Sequence, residues 1–330
     1  MFLIDFSFLL DSLLILLLAL LIDFVFGEVP DRVHPTVWMG RVITFLKPKI
    51  KNVNPMNEKI NGALLASFVI ALFAVPAYFI IFWTRQLLGW VPYIIVAAVL
   101  LKMSFARKCI SQYTVPIAKA IEIGDVDKAK QLLPYIVRRD PSTLSERHVI
   151  SAAVESIAES STDGVTSPFF YFALFGVPGA IAYRVINTLD SMVGYRDEAH
   201  VNIGWFSANL DTIANYIPTR LTAMMMIVSA MLLGENWRGS WRIIKRDRRC
   251  VSSVNAGWTI AAMAGALNAQ LEKPGFYKLG DDGGVSPAHI KRALRITDLV
   301  AILFCILIVF PILSLKAFIL SVLAAGYLFQ

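Results

Sequence analysis

The sequence predicts an all-α, polytopic integral membrane protein, and three observations carry that prediction. The 330-residue chain is 57% hydrophobic and only 17% charged, with a mean hydropathy of +0.63, whereas soluble domains lie nearer roughly 45–50% apolar and 25% charged. Its apolar residues gather into long blocks, as expected where lipid is the solvent. Its basic residues gather between those blocks. Positions 27–61 hold six Lys or Arg, 102–168 hold nine and 235–297 hold eleven, together 26 of the 31.

Lys and Arg concentrate in loops that stay cytoplasmic. A multi-pass protein of the cell membrane is therefore expected, with these segments and any site they carry facing the cytoplasm. The same rule accounts for the formal net charge of +7 and the pI near 9.3. No stretch interleaves basic and aromatic residues as a nucleic-acid module would, so the expected partner is the lipid bilayer and not nucleic acid. Cys109, Cys250 and Cys305 lie far apart without a CxxC pair, which argues against disulfides and a zinc site.

The first element opens the chain. MFLIDFSFLLDSLLILLLALLIDFVFG has no basic leader and no A-x-A cleavage site after it, so it reads as a retained transmembrane helix. Phe6–Phe26 is long enough to cross about 30 Å of hydrocarbon. Gly62–Trp83 reads as the second span, with Pro76 as a tolerated kink. Leu87–Leu101 reads as the third, ending at Lys102. Ile217–Gly234 is a fourth candidate, and Leu299–Phe329 gives one span or a hairpin broken near Pro311 and Lys316. Between the spans, 115–133 reads as an amphipathic helix with a turn at Gly124-Asp125, and Ser145–Ser161 as another helix. No internal repeat divides the chain, which reads as one domain with polar segments at 27–61, 102–216 and 235–297.

Parity constrains the middle of the chain. If all three basic segments share a side, an even number of crossings lies between 168 and 235. The apolar run 169–186 is interrupted by Gly176-Val177-Pro178-Gly179, leaving arms too short to span separately. A re-entrant hairpin is the expectation, since broken backbone at membrane depth is tolerated where protein or a water-filled cavity buries it. On this reading 217–234 is the awkward piece, re-entrant or interfacial.

Polar residues are densest over 155–220. Glu155, Glu159 and Asp163 recur at i, i+4 and i+8, an acidic stripe if one helix carries them. Mg²⁺ suits such a stripe, because it takes carboxylates, waters and substrate phosphates; a solvated helix face is the alternative. Arg184, Asn187, Asp190 and Arg196 lie in and just after an apolar stretch, where ionisable groups are functional candidates, with an Arg184–Asp190 structural pair as the alternative. Ser207, Asp211 and Asn215 form a polar seam on a helix expected to end before Pro218, with Arg220 beyond it. Interhelical hydrogen bonding explains such a seam equally well. His34, in the turn-rich loop after the first span, is a candidate ligand or proton carrier. The block 246–258 joins three arginines to Ser252, Ser253 and Asn255. It suits phosphate or simply carries positive-inside charge. Trp205, Phe206 and Trp258 read as interfacial anchors. No P-loop, GxGxxG, HExxH or GxSxG string is present.

These strings together resemble a known family. VHPTVWMGRVI (33–43), RRDPSTL (138–144), ESIAESSTDGVTSPFFYF (155–172), GVPGAIAYRVINTLDSMVGYRDE (176–198), NLDTIANYIPTRL (209–221) and SSVNAGWTIAAMAGAL (252–267) are similar, in this order, to the CobD/CbiB membrane proteins of cobalamin biosynthesis, the adenosylcobinamide-phosphate synthases. The likeness runs from the first span to about residue 296. It implies an acid–amine ligase. Such an enzyme joins the propionate of adenosylcobyric acid to (R)-1-amino-2-propanol or its O-phosphate, consumes ATP and requires Mg²⁺. It is also compatible with a homo-oligomer or a complex with other cobalamin-assembly enzymes.

Combined with the residue chemistry, that activity assigns Glu155, Glu159, Asp163, Asp190 and Asp211 to catalysis, with Glu159, Asp163 and Asp190 on the metal. Arg184, Asn187, Tyr195, Arg196, Asn215, Arg220, His34 and Asn255 are expected to bind substrate or phosphate. The sequence departs from the family pattern at Ser160, where Asn is usual, and at Asn209 and Thr212, where Arg and Asp are usual. It also departs at Val254 in an SPN string and at Glu28-Val29 in a GDP string. The roles of 209 and 212 are open on that account. An AmpE-like signalling protein and a transporter with a midplane polar site are the alternatives from other functional classes.

Overall fold

The computed structural model describes residues 6–327 apart from 29, 31, 33, 138, 139 and 196. The first seven helices are α1 (Phe6–Phe26), α2 (Pro35–Ile50), α3 (Pro55–Leu88), α4 (Trp90–Lys102), α5 (Arg107–Glu122), α6 (Val126–Leu132) and α7 (Glu146–Ser161). A π-helical turn, Thr162–Thr166, leads into α8 (Ser167–Val193), followed by α9 (Trp205–Ala214), α10 (Tyr216–Leu232), α11 (Trp237–Asp247) and α12 (Ala256–Leu267). A two-stranded hairpin, β1 (Leu271–Lys273) and β2 (Tyr277–Leu279), precedes α13 (Pro287–Phe304), a second π-turn (Cys305–Val309) and α14 (Phe310–Tyr327). The protein is an all-α polytopic membrane protein. Four helical runs are long and apolar enough to cross a membrane: Ser7–Phe26, Pro55–Leu88, Glu146–Val193 and Pro287–Ala324.

The chain forms two compact units. The first comprises 1–106, 167–214 and 305–330, and the second 107–166 and 215–304.

In the first unit, α3 packs on α4 and α8, α1 on α4 and α14, and α9 on α3 and α8. Asn54 starts α3 by accepting N–H bonds from Met56 (2.9 Å) and Asn57 (3.3 Å), with Pro55 in the first turn where its missing N–H is harmless. Exposed Phe68, Leu72, Phe79, Ile80 and Trp83 give α3 the apolar face that lipid would cover. The carboxylates inside α1 are paired. Asp11 receives Arg85 at 3.1 Å and the Trp90 indole N–H at 2.6 Å, and Lys102 reaches Asp23 at 3.2 Å. Pairing offsets the penalty of charge in a low-dielectric setting.

The expected hairpin is present. Gly176 adopts φ 71° and ψ −164°, a conformation closed to residues with a side chain, and breaks α8 into two arms. Tyr171 and Tyr183 stack with ring centroids 5.1 Å apart. Twelve residues along a straight helix would separate them by about 18 Å, so the chain doubles back. A Cβ on Gly179 would lie 2.8 Å from the Tyr171 carbonyl oxygen, so only glycine permits the close turn. The run Glu146–Val193 is accordingly not one straight rod.

Lys316 belongs to this turn. Its ammonium donates to the carbonyls of Ala173 (3.1 Å) and Leu174 (2.8 Å), the last turn of the first arm. Of the two forms expected for 299–329, the single run is realised, without a break near Pro311 and Lys316. Pro311 stands just after the π-turn at 305–309, a local adjustment of the kind that accommodates proline in a membrane helix, and α14 continues through Lys316.

The spans also need correction in length. α4 has 13 residues and α10 has 17, about 20 Å and 26 Å at 1.5 Å per residue, both short of roughly 30 Å of hydrocarbon. Gly89, at φ 85°, begins α4 later than the apolar pattern suggests.

The second unit is built around α12, buried at nearly every position and packed on α11, α10 and α7. Small residues permit this. A Cβ on Gly265 would meet the Gly239 carbonyl oxygen at 2.4 Å, so α11 and α12 touch backbone to backbone. The hairpin, which the sequence pattern did not suggest, pairs Leu271 with Leu279 and turns at Gly275 (φ 77°). The turn expected at Gly124-Asp125 separates α5 from α6, and Ser145 caps α7. Arg107 to Asp298 (2.7 Å) and Lys291 to Glu122 (2.6 Å) tie α13 to α5.

Replacing Lys316 by Met leaves two carbonyls of the broken helix without their donor. The variant is expected to lose about 1–3 kcal/mol, measured as a lower unfolding midpoint in detergent. An unchanged midpoint would show that the cap contributes nothing.

Candidate functional site

The expected site residues fall in both units, and each unit contributes a distinct constellation.

In the first unit the second arm of α8 presents Arg184, Asn187 and Asp190 on successive turns, packed against α2. Arg184 directs Nε to Thr36 Oγ1 (3.4 Å) and Nη1 to Asn187 Oδ1 (3.3 Å). The alternative of an Arg184–Asp190 ion pair is not realised: among the described residues no carboxylate is within pairing distance of Arg184. Asp190 is half-buried, and its carboxylate occupies the space beside Gly194. A Cβ there would lie 2.0 Å from Asp190 Oδ1, while the Gly194 N–H donates to the Asp190 carbonyl at 2.8 Å. Glycine in the string NTLDSMVGY thus makes room for a carboxylate.

Tyr195 is exposed, donates to the Ser191 carbonyl (2.8 Å) and lies edge-on to His200 at 5.4 Å. Arg196 lies outside the described residues. Asp211 is half-buried on α9, whose Ser207 is fully buried. The expected seam Ser207–Asp211–Asn215 does not lie on one helix. α9 ends at Ala214, Asn215 is the N-cap residue of α10, and Pro218 stands in the first turn of α10 instead of closing the helix before it.

His34 caps α2. Its Nδ1 accepts the Thr36 N–H at 3.2 Å, which leaves Nε2 to donate to Glu28 at 2.8 Å. Glu28 also receives Lys102 at 3.2 Å. Burial alone would raise the Glu28 carboxyl, but the His34 hydrogen bond and the Lys102 charge outweigh it and hold the group below the ordinary carboxylate range.

In the second unit the acidic residues differ in environment. Glu155 is buried and satisfied, accepting Ser151 Oγ and Tyr277 OH at 2.8 Å each. Glu159 is exposed, and Asp163 is half-buried. The acidic residues do not share one regular α-helix: α7 ends at Ser161, and Asp163 falls in the π-turn at 162–166. Asn215 and Asn255 are buried. Arg220 donates through Nη1 to the Tyr216 carbonyl (2.5 Å) and Asn255 Oδ1 (3.1 Å).

Among the described residues, no three of His, Cys, Asp and Glu stand close enough together to hold a metal ion alone. The donor set does not fit a resident ion in a protein cage. Mg²⁺ does not require such a cage, since it takes one or two carboxylates and completes its shell with phosphate oxygens and water.

The family model for the CobD/Cbib protein matches residues 16–297. The chain belongs to the CobD/CbiB family. It is 42% identical over 296 residues to the "Probable cobalamin biosynthesis protein CobD" of Methanothermobacter thermautotrophicus, covering 88% of this chain and 94% of that one. It is 42% identical over 272 residues to the "Cobalamin biosynthesis protein CobD" of Dehalococcoides mccartyi (82% and 88% covered). It is 39% identical over 308 residues to the corresponding Thermoplasma volcanium protein (92% and 99%). No solved structure matches it.

Two polar clusters of this CobD/CbiB chain escaped sequence reasoning. Lys47 Nζ meets His200 Nε2 at 2.5 Å, and His200 Nδ1 meets Asp197 at 2.6 Å. Likewise Glu28 links His34 to Lys102. The partners lie 153 and 74 residues apart, and no spacing rule joins them.

The depressed Glu28 value has a definite consequence. Its pairing stabilises the fold above the unfolded carboxylate value near about 4.3. That contribution is lost as pH falls through the lower folded value. Glu28→Gln is therefore expected to flatten the acid side of the stability–pH profile in detergent while lowering stability at pH 7. A profile parallel to the wild type would show that this cluster is not coupled to folding.

Proposed function

We propose that this chain performs an amide-forming step of cobalamin biosynthesis, as an acid–amine ligase. The propionate carboxylate of adenosylcobyric acid is joined to the amine of (R)-1-amino-2-propanol or its O-phosphate, with ATP consumed and Mg²⁺ required. The observation that carries the reading is a carboxylate, an amide and a guanidinium with no carboxylate partner among the described residues, on successive turns of the second arm of α8. The similarity to proteins named for cobalamin biosynthesis, over nearly the whole of both chains, supports the same reading.

A carboxylate becomes reactive toward an amine only after its oxygen is made a leaving group. Transfer of the terminal phosphoryl group of ATP to the propionate oxygen forms a C–O–P link and releases ADP. The unprotonated amine then attacks the carbonyl carbon, forming C–N and breaking C–O. Phosphate departs, and the proton left on nitrogen passes to a base.

In the first unit Asp190 is assigned to hold the ammonium form and take its proton, with its carboxylate fixed over Gly194. Asn187 and Asp211 orient polar groups of the substrates, Arg184 and Arg196 meet anionic oxygens, and His34 and Tyr195 supply flanking donors. In the second unit Glu159 and Asp163 would hold the Mg²⁺, which when bound neutralises phosphate charge. Glu155 braces α7 against the β-hairpin through Ser151 and Tyr277. Asn215, Arg220 and Asn255 complete the polar contacts there.

The test is a ligation assay on detergent-purified protein with adenosylcobyric acid, aminopropanol phosphate, ATP and Mg²⁺, read by mass spectrometry. The amide mass is expected with all four components and is expected to vanish with EDTA. Asp190→Asn should lower the rate by about 10²–10⁴-fold with an unchanged gel-filtration profile. No product, under conditions where a CobD/CbiB relative turns over, would refute the ligase reading.

A second variant tests geometry without removing a reacting group. In Gly194→Ala the new Cβ displaces the Asp190 carboxylate, and a rate loss on the order of 100-fold is expected. Full activity would show that Asp190 need not sit where the fold places it.

A further inference from the structure

We propose that the second unit contains a binding site for a phosphate group, built from Arg220, Arg248 and Arg249 around the Trp258 indole. These side chains line one concavity of about 440 Å³, together with Tyr216, Ser252 and Ser253. No Asp or Glu is among its lining residues.

The geometry draws like charges together. The guanidinium carbons of Arg220 and Arg248 lie 5.1 and 4.8 Å from the centroid of the same Trp258 ring. Arg220 is pinned further by the Tyr216 ring at 3.4 Å. Cation–π contacts hold the two guanidinium groups at the ring without neutralising them. Their hydrogen bonds run through Nη1 to the carbonyls of Tyr216 and Ile244 and to the Asn255 amide oxygen, all uncharged acceptors. Arg249 is exposed at the rim.

Two neighbouring arginines behave differently. Arg242 pairs with Asp281, and Arg246 pairs with Asp247 and Asp281. At Arg220, Arg248 and Arg249 cations converge instead on a hollow that offers no carboxylate.

The backbone is arranged to hold them there. Ser253 Oγ accepts the N–H groups of Asn255 (3.3 Å) and Ala256 (3.2 Å) and so shapes the entry to α12. A Cβ on Gly257 would lie 2.0 Å from the Arg248 carbonyl oxygen, so glycine alone lets the start of α12 approach Arg248.

Planar forked donors match the oxygens of a phosphate bidentately, and the Ser252 and Ser253 hydroxyls are further polar groups in the lining. The ligand class is a phosphomonoester or polyphosphate of a small molecule; an anionic lipid headgroup offers the same chemistry. Binding of this kind does not depend on the ligase reading.

The experiment titrates detergent-purified full-length protein with tripolyphosphate and, separately, with ATP, with no corrinoid or amine present. Binding is read by calorimetry at low salt. A parallel arm uses phosphatidylcholine vesicles with and without phosphatidylglycerol. Saturable binding is expected, weakened by added salt and weakened roughly tenfold or more by Arg248→Gln and by Arg249→Gln. Arg248→Lys keeps the charge, loses the fork and should fall between. Arg249 is exposed, so its variant retains the fold even where others do not.

A response to the soluble probes assigns the site to a small phosphorylated molecule. A response confined to phosphatidylglycerol vesicles, with the same sensitivity to substitution, assigns it to a headgroup. The site is overturned if neither probe nor vesicle binds, or if both folded Gln variants bind as the wild type does. Phosphate binding that persists in a protein forming no amide would remove the ligase reading and leave the site standing.

Discussion

A helix broken in apolar surroundings must find partners for the carbonyls it frees, and in the first unit that constraint is met by one side chain. Lys316, from the far end of the chain, places its ammonium on the carbonyls of Ala173 and Leu174. The cation also sits at the negative end of the first arm of α8, where a positive charge is favoured. With those carbonyls satisfied, the left-handed turn at Gly176 becomes affordable and Tyr171 can stack on Tyr183. The second arm is thereby fixed in direction, and it is this arm that carries Arg184, Asn187 and Asp190.

The same requirement for satisfied polarity sorts the other charges. Asp11, Asp23 and Glu28 of the first unit are each matched by Arg85 or Lys102. These pairs hold helices in register and leave little for chemistry. Glu155 of the second unit is likewise bound on both oxygens by hydroxyl donors. The contrast falls on groups the fold leaves unneutralised. Arg184 has only neutral partners among the described residues, and the guanidinium groups of Arg220 and Arg248 share an indole. A charge kept unpaired in a packed protein is unfavourable unless a ligand completes it.

Glycine provides the geometric counterpart. Gly194 yields its side-chain volume to the Asp190 carboxylate, Gly257 yields to the Arg248 carbonyl, and Gly239 and Gly265 yield to one another. In each case a missing Cβ fixes where a functional or packing group can sit. The sites therefore depend on backbone approach as much as on the identity of the reactive side chains.

Composition and periodicity were enough to specify an all-α membrane protein, its first helix, the turn at Gly124 and the hairpin at Gly176. Those features follow from lipid as solvent, from helix period and from the glycine-only conformation, all local properties. The strings around Asp190 and Glu159 likewise made the family legible, because they are contiguous. Tertiary structure alone decided the rest. The role of Lys316, the Lys47–His200–Asp197 contact and the convergence of Arg220 with Arg248 join residues that no helical spacing relates. The π-turn that holds Asp163, and the end of α9 at Ala214, are not encoded in an i+4 pattern. Sequence spacing reports which side chains share one helix face; it carries no information on which faces the folded chain brings together.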